Sequence, residues 1–211
     1  MTQLPFTDII TSEEQLRELL GTPGDPAVRK QLSFLDQHSR TFISASPFVL
    51  IGSVNSSGNL DVSPRGDAPG FVQVLDEKTL VIPERPGNRR FDTLRNILQT
   101  SAVGLLFLVP RVEETLRVNG RACLVRDAAL LERFIVQGKQ PKVAIVVEVE
   151  ECFLHCAKAF RRSKLWDAST WPERESLPTG GQIWLDQLRL QDTTAGEIDE
   201  MLNIDYKQCL Y

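Results

Sequence analysis

The feature that most constrains the fold is a series of short β-type segments that follow one another through turns rather than through helices. Phe48 to Val54 is apolar and β-branched, a turn of Asn, Ser and Gly follows, and Asn59 to Ser63 returns as a second strand. Phe71 to Leu75 and Thr79 to Ile82 form another predicted strand pair. Two hairpins in succession favour an antiparallel sheet.

The second half of this β-rich region has longer segments. Ala102 to Val109 predicts a buried strand, Thr115 to Val125 a long strand interrupted at Asn119-Gly120, and Lys142 to Cys156 another long one. Only the last two are separated by a predicted helix, Ala128 to Gln137. Because so few helices connect consecutive strands, we predict a mainly β (α+β) fold, an antiparallel β-barrel with flanking helices, rather than a doubly wound parallel sheet.

The amino-terminal part is predicted to be helical. Thr11 to Gln15 is typical of a capped helix start, and Gly21 to Gly24 ends that helix. A second helix is predicted from Pro26 to Leu35, followed by an extended segment at Thr41 to Ser44.

The carboxyl-terminal part differs in composition from the β-rich region. After Trp171 a loop rich in Pro and Gly precedes two short helical patterns, Ile183 to Leu188 and Ala195 to Leu202. The length of 211 residues suits one domain with a sizeable core. We divide it into N-terminal helices (1–40), a central barrel (41–170), and a C-terminal loop with short helices (171–211).

Charge and cysteine content indicate which ligands to expect and where in the cell to expect the protein. The net charge of -4 excludes a general attraction to nucleic acid, so phosphate-binding arginines would form a local cluster that favours small phosphorylated ligands. The four cysteines lack the spacing of a zinc site or redox dithiol, and we expect reduced thiols and no metal. Met1 to Ile10 has no basic start followed by an apolar run. The expected location is the cytoplasm, with no membrane partner.

Two segments combine arginine, glycine and turn residues. They are Ser63-Pro64-Arg65-Gly66-Asp67, at the end of a predicted strand, and Gly87-Asn88-Arg89-Arg90, directly before a helix pattern. A capping Asn88 would leave the first helix amides pointing outward, and guanidinium groups bind phosphate oxygens in pairs. Gly66, expected at positive φ in a turn, and Gly87 would let the backbone approach the ligand. Together the segments predict a phosphate site at the rim of the barrel.

The alternative is that these arginines are surface charges paired with nearby acids. Candidate partners are Asp67, Glu84 and Asp92. The joint spacing of the two segments favours phosphate binding. Asp67 is interpreted as a turn residue that accepts hydrogen bonds from its own backbone.

The order of these motifs resembles the pyridoxamine 5'-phosphate oxidase-like family of FMN-binding split barrels. The resemblance rests on the Ser-Pro-Arg-Gly-Asp strand, the following strand pair, the Gly-Asn-Arg-Arg helix start, the apolar strand and the run Leu116 to Ala122. A later run, Cys156 to Trp166, is similar to the signature of one branch of this family. The matches span residues 30–170 and imply a split form of the predicted barrel.

The resemblance implies a homodimer that holds FMN at the subunit interface, with basic side chains on the phosphate and the flavin ring against strand backbone. The first group of cofactor-binding residues that it implies is Ser63, Arg65, Gly66, Ile82, Pro83, Asn88, Arg89 and Arg90. Lys158, Arg161 and Trp166 would approach the flavin from the other subunit. Arg117, Arg161 and Lys158 are the candidates for a donor to the N1 and C2 carbonyl region of the flavin.

The implied activity is that of an FMN-dependent oxidoreductase whose small-molecule substrate and electron donor the residues do not identify. The segment 203–211 lacks the basic clamp with which the oxidase holds its substrate phosphate, so pyridoxamine phosphate is not the expected substrate. Two alternatives stay open: a non-catalytic flavin, haem or deazaflavin binder, and a dimeric scaffold without cofactor. Neither His38 nor His155 has the sequence context of an axial haem ligand.

Overall fold

A seven-stranded sheet forms the centre of the computed structural model, which describes residues 5–211. The strands are β1 (Phe48–Val54), β2 (Leu60–Gly66), β3 (Gln73–Val74), β4 (Thr79–Pro83), β5 (Ala102–Leu108), β6 (Thr115–Val125) and β7 (Ala144–His155). They are hydrogen-bonded in the order β2-β1-β5-β6-β7-β4-β3, and every neighbouring pair is antiparallel. The predicted antiparallel class is confirmed.

The sheet curls until two distant strands meet, and this makes it a split barrel. Four strands separate β2 from β4 in the hydrogen-bonded order. Yet Arg65 on β2 lies 3.1 Å (Nε to Oε2) from Glu84, the residue directly after β4. No ladder joins β2 and β4 in the described sheet. Side chains therefore bridge a seam where backbone pairing is missing, and we call this place the seam.

One hydrophobic core fills the interior of the curled sheet. Alternate residues of β1 and β5 are buried, as the period of two requires. Val49 and Ile51 of β1 and Leu105 and Phe107 of β5 are essentially inaccessible to solvent. Burial of this kind contributes about 25 cal/mol for each Å² of apolar surface. The core fixes the strand ends on which the seam depends.

The predicted interruption of the strand Thr115–Val125 is confirmed. The pairing of β6 with β7 shifts register between Asn119 and Gly120, which is a β-bulge. A Cβ at Gly120 would collide with the carbonyl oxygen of Glu148. Glycine is therefore required here by the close approach of two backbones.

The first helices agree with the sequence only in part. Helix α1 (Glu13–Leu20) begins after Ser12, whose side chain accepts from the Gln15 amide, and ends at Gly21, as predicted. Helix α2 (Asp25–Arg29) is shorter than expected because Leu32 exchanges backbone hydrogen bonds with Cys152.

The extended segment predicted at Thr41 to Ser44 is wrong, because helix α3 (Gln37–Ala45) covers it. The Asp36 carboxylate caps this helix by accepting from the Ser39 amide at 2.8 Å. Ile43 is fully buried in the core. Capping and burial outweigh the β propensity of the Thr-Phe-Ile run.

The remaining helices flank the barrel. They are α4 (Asp92–Thr100), α5 (Ala128–Glu132), α6 (Lys158–Ser163), α7 (Gly180–Leu188) and α8 (Ala195–Gln208). Helix α5 ends before the predicted Gln137, and a turn pairs Val136 with Lys139. Among residues 5–211 there is no helix with the length and apolarity that crossing a membrane requires. The expectation for Met1 to Ile10 falls in part on residues 1–4, which lie outside the described residues.

Candidate functional site

A cavity of about 620 Å³ lies at the seam, between β2, the segment after β4 and the beginning of α4. Seven of the residues expected at the cofactor line it, namely Ser63, Arg65, Gly66, Pro83, Asn88, Arg89 and Arg90. The two sequence segments that predicted a phosphate site therefore meet in space at one end of the barrel.

Arg65 holds the seam together. Its guanidinium donates to Glu84 Oε2 at 3.1 Å (Nε) and to the Ser63 hydroxyl at 2.6 Å (Nη1), which lies on the same face of β2. Burial raises the pKa of Glu84, although the nearby Arg65 opposes that shift. The pairing of Arg65 with Glu84 that the alternative predicted is thus present, but Arg65 is largely buried and is not the surface charge that the alternative assumed.

The loop before α4 differs from the expected cap. The Asn88 side chain accepts from the Arg90 amide at 3.0 Å, and this bond closes the loop. The residue at the cap position is Phe91, in the left-handed conformation (φ 59°) and with no side-chain hydrogen bond to the helix. The expectation that Asn88 caps the helix is wrong because the helix begins four residues later, at Asp92.

The amino-terminus of α4 consequently opens into the cavity. The first amides of any helix lack intrahelical partners, and here no side chain caps them. Asp92 and Thr93 of this first turn line the cavity. Partial positive charge at this end favours a bound anion.

The two loop arginines are bound differently. Arg90 donates to Asp92 Oδ2 at 2.8 Å, although both side chains are open to solvent, so the predicted alternative pairing is confirmed for it. Arg89 is exposed, has a positive φ of 59°, and forms no ion pair with any residue of the range 5–211. Arg89 is therefore the cavity arginine with its charge available to a ligand.

The glycines contribute less than expected. Gly66 lies inside β2, opposite Phe48, and its φ is not positive, so the expected turn is wrong at this position. An added Cβ there would lie 3.4 Å from the Pro47 carbonyl oxygen. Gly87 faces open space.

Arg85 and Tyr211 are two of the lining residues that the sequence analysis did not predict. Arg85 donates from Nε to Asp67 Oδ2 at 2.8 Å and from Nη1 to the Phe134 carbonyl. The Tyr211 hydroxyl donates to Asp67 Oδ1, also at 2.8 Å. Arg85 stands two residues before the segment Gly87 to Arg90 and was open to prediction. Tyr211 lies 144 positions from Asp67, so no local pattern signals their contact.

Asp67 combines its predicted role with a second one. Its carboxylate accepts from the Ala68 amide, as expected of a turn residue, and also from Arg85 and Tyr211. Burial works against the charged form, but these hydrogen bonds together hold the pKa of Asp67 below its usual value. The side chain is only 3 % exposed, so Asp67 anchors this side of the cavity.

A known sequence family matches the central part of the chain, which includes most of the cavity-lining residues. Residues 35–156, more than half of the chain, match the sequence model described as pyridoxamine 5'-phosphate oxidase. The chain belongs to this family. No curated protein matches it.

Several solved structures are similar to part of this chain at low sequence identity. HupZ from group A Streptococcus is 19% identical with a TM-score of 0.46, covering 56% of this chain and 92% of its own. A candidate pyridoxamine 5'-phosphate oxidase from Lactobacillus delbrueckii is 23% identical (TM-score 0.46; 59% and 98% covered). General stress protein 26 from Bacillus anthracis is 15% identical (TM-score 0.41; 54% and 88% covered).

Two further residues implied by the family resemblance lie in the sheet and do not line the seam cavity as described. Ile82 is fully buried and pairs with Ile145 across β4 and β7. The Arg117 guanidinium donates to Glu151 at 2.6 Å and lies 4.1 Å from the centre of the Phe153 ring. Arg117 is thus engaged on the outer side of β6.

The α6 residues do not line the seam cavity of their own chain. Helix α6 follows the end of β7, and its neighbourhood contacts the segment between β5 and β6. Arg161 donates to Glu113 at 2.7 Å, and the Trp166 indole to the Val112 carbonyl at 2.9 Å.

Neither histidine lines the seam cavity. His155 lies beside Phe153, with 4.9 Å between the ring centres. Burial lowers the pKa of His155, and the nearby charges of Arg117 and Lys30 lower it further. Among residues 5–211, no group of three or more His, Cys, Asp or Glu side chains is arranged to hold a metal ion.

Proposed function

We propose that this protein binds FMN in the seam cavity, with the phosphate at the amino-terminus of α4. The observation that carries the proposal is the uncapped helix end beside Arg89, a guanidinium without an ion-pair partner among the described residues. An anion there gains both backbone amides and a charge-assisted hydrogen bond.

The cavity fits the rest of the cofactor. Its volume of about 620 Å³ lies within the usual range for small-molecule sites. Apolar side chains face it from several elements, which suits a flat aromatic ring; they are Pro64, Phe71, Pro83, Phe91 and Leu210. The family resemblance supports FMN among phosphorylated ligands of this size.

The proposed activity is that of an oxidoreductase acting on a small molecule. Bound FMN would supply hydride and electron transfer, whereas the protein supplies position and electrostatics. Arg65 and Glu84 bridge the seam, and burial raises the pKa of Glu84. The cytoplasmic location stays a prediction.

We further propose a homodimer in which the α6 residues Lys158, Arg161 and Trp166 of one subunit approach the cofactor of the other. The support is the family resemblance, together with the observation that none of these three residues lines the cavity of its own chain. A two-fold axis would place the same patch against each seam.

The first experiment is the absorbance spectrum of the purified protein before and after addition of FMN and gel filtration. Flavin bands that coelute with a dimer are the expected result. A Soret band would show that the protein binds haem and not FMN. Absence of any retained chromophore would reject FMN binding and favour the deazaflavin or scaffold alternatives.

A matched pair of variants tests the phosphate position. Arg89→Ala should weaken FMN binding about tenfold to a hundredfold, the usual effect of losing a hydrogen bond to a charged group. Arg95→Ala removes an arginine from the exposed face of α4, outside the cavity, and should leave affinity unchanged. Equal affinity of the two variants in a fluorescence titration would contradict this placement.

A further inference from the structure

Two residues after α8 form part of the wall of the seam cavity. Leu210 and Tyr211 line it, although α8 itself belongs to the C-terminal helical pair. We call residues 209–211 the strap.

The strap is fastened at two points. The Tyr211 hydroxyl donates to Asp67 Oδ1 at 2.8 Å, and Lys139 Nζ donates to the Tyr211 backbone oxygen at 2.6 Å. Arg85, itself bound to Asp67, lies 5.4 Å from the centre of the Tyr211 ring. Asp67 directly follows β2 and Lys139 lies in the turn between α5 and β7, so two separate segments hold the strap.

We propose that Tyr211 is a ligand-retaining residue of the cavity, and that its bond to Asp67 sets how fast a bound flavin leaves. The inference rests on the proposed function for the identity of the ligand, and on the contacts above for the strap. The hydroxyl bond is to a buried carboxylate, so its loss costs more than that of a neutral hydrogen bond.

The chain offers a close control, because it has two tyrosines. Tyr206 lies on α8, is 63% exposed, and its hydroxyl bonds to nothing in the described chain. Tyr211→Phe should raise the FMN dissociation rate about tenfold. Tyr206→Phe should leave it unchanged.

Lys139→Met loosens the second fastening without touching the cavity, since Lys139 is not among the cavity-lining residues. It should also raise the dissociation rate. Dissociation is measured by stopped-flow dilution of the FMN complex, with the melting temperature of each variant as a check on folding. Unchanged rates in both Tyr211→Phe and Lys139→Met would overturn the proposal.

A ligand-free readout separates this inference from the proposed function. In 3-fluorotyrosine-labelled protein, fluorine NMR should give two tyrosine signals, assigned with Tyr206→Phe. The hydrogen bond to Asp67, then burial, raises the pKa of Tyr211, so its signal should titrate at higher pH than that of free 3-fluorotyrosine. A Tyr211 signal that titrates together with free 3-fluorotyrosine would show that the strap is not fastened and would reject it. Failure of FMN to bind wild type and variants alike would reject the cofactor instead.

Discussion

The seam cavity and the α6 cluster contain similar side chains but are built in different ways. In the cavity, β2, the α4 loop and the strap converge, and Arg65 is held to Glu84 with both side chains no more than 20% exposed. At α6, Arg161 pairs with Glu113 while 72% exposed, on a helix of six residues. A single chain therefore completes one cluster and leaves the other facing outward.

The comparison of the cavity with the α6 cluster indicates which of the two needs a second subunit. Preorganised groups bind a ligand without a further loss of conformational entropy. The cavity has this property within one chain, whereas α6 would gain it only against another surface. The following predictions test this difference, beginning with the largest effect.

Mixed dimers should recover binding that each parent has lost. A double variant Arg89→Ala with Arg90→Ala damages the cavity, and Lys158→Ala with Arg161→Ala damages α6. Each should bind FMN poorly by itself. In a dimer with one subunit of each kind, one cavity and one α6 cluster remain intact and face each other, so one FMN site should return. The measurement is flavin retained by tandem-tagged mixed dimers.

The control for this experiment is a mixture of two cavity variants, which cannot form an intact site. If the α6 variant alone binds FMN like wild type, α6 takes no part in the site. If mixed dimers stay empty although both parents fold, the two clusters do not meet across the interface.

Loss of the two ion pairs should affect stability unequally. Arg65→Met leaves Glu84 half-buried without its partner and should lower the free energy of unfolding by about 2 to 3 kcal/mol. Arg161→Met breaks an exposed pair and should have no measurable effect in the same urea titration.

The deficit of Arg65→Met should also depend on pH. Burial already raises the pKa of Glu84, and removing Arg65 raises it further. A raised pKa in the folded state favours the folded protein below the unfolded pKa and loses that contribution as pH rises through the folded value. The deficit should therefore grow from acidic to neutral pH. A constant deficit would mean that packing, not charge, explains the loss.

Local patterns predicted the scaffold well because hairpins and bulges are encoded by neighbouring residues. The turn after Val54 and the break at Asn119-Gly120 both follow from short-range chemistry. The helix over Thr41 to Ser44 was missed because the Asp36 cap and the burial of Ile43 outweigh β propensity. Propensity is a weak guide where tertiary contacts compete with it.

The candidate site was predictable only as far as its motifs are continuous. Arg65 and Arg89 stand in arginine-rich segments, and the fold brings both to one cavity. The fastening of Tyr211 to Asp67 joins distant positions and depends on how the C-terminal helices lie, which no periodicity in the sequence reports. Pairing of Arg65 with Glu84 likewise depends on the curl of the whole sheet.

The smallest expected effect concerns the thiol beside α6. A hydrogen bond from the Lys158 amide lowers the pKa of the exposed Cys156, whereas a hydrogen bond with Asp205 raises that of Cys209. Alkylation follows the thiolate. Iodoacetamide at mildly alkaline pH should therefore modify Cys156 a few times faster than Cys209, as read by mass spectrometry of the peptides, and the preference should widen as pH falls.

If α6 faces a second subunit, dilution below the dimer dissociation constant should speed modification of Cys156 alone. If dilution does not change these rates, α6 lies outside the interface and takes no part in a site between subunits.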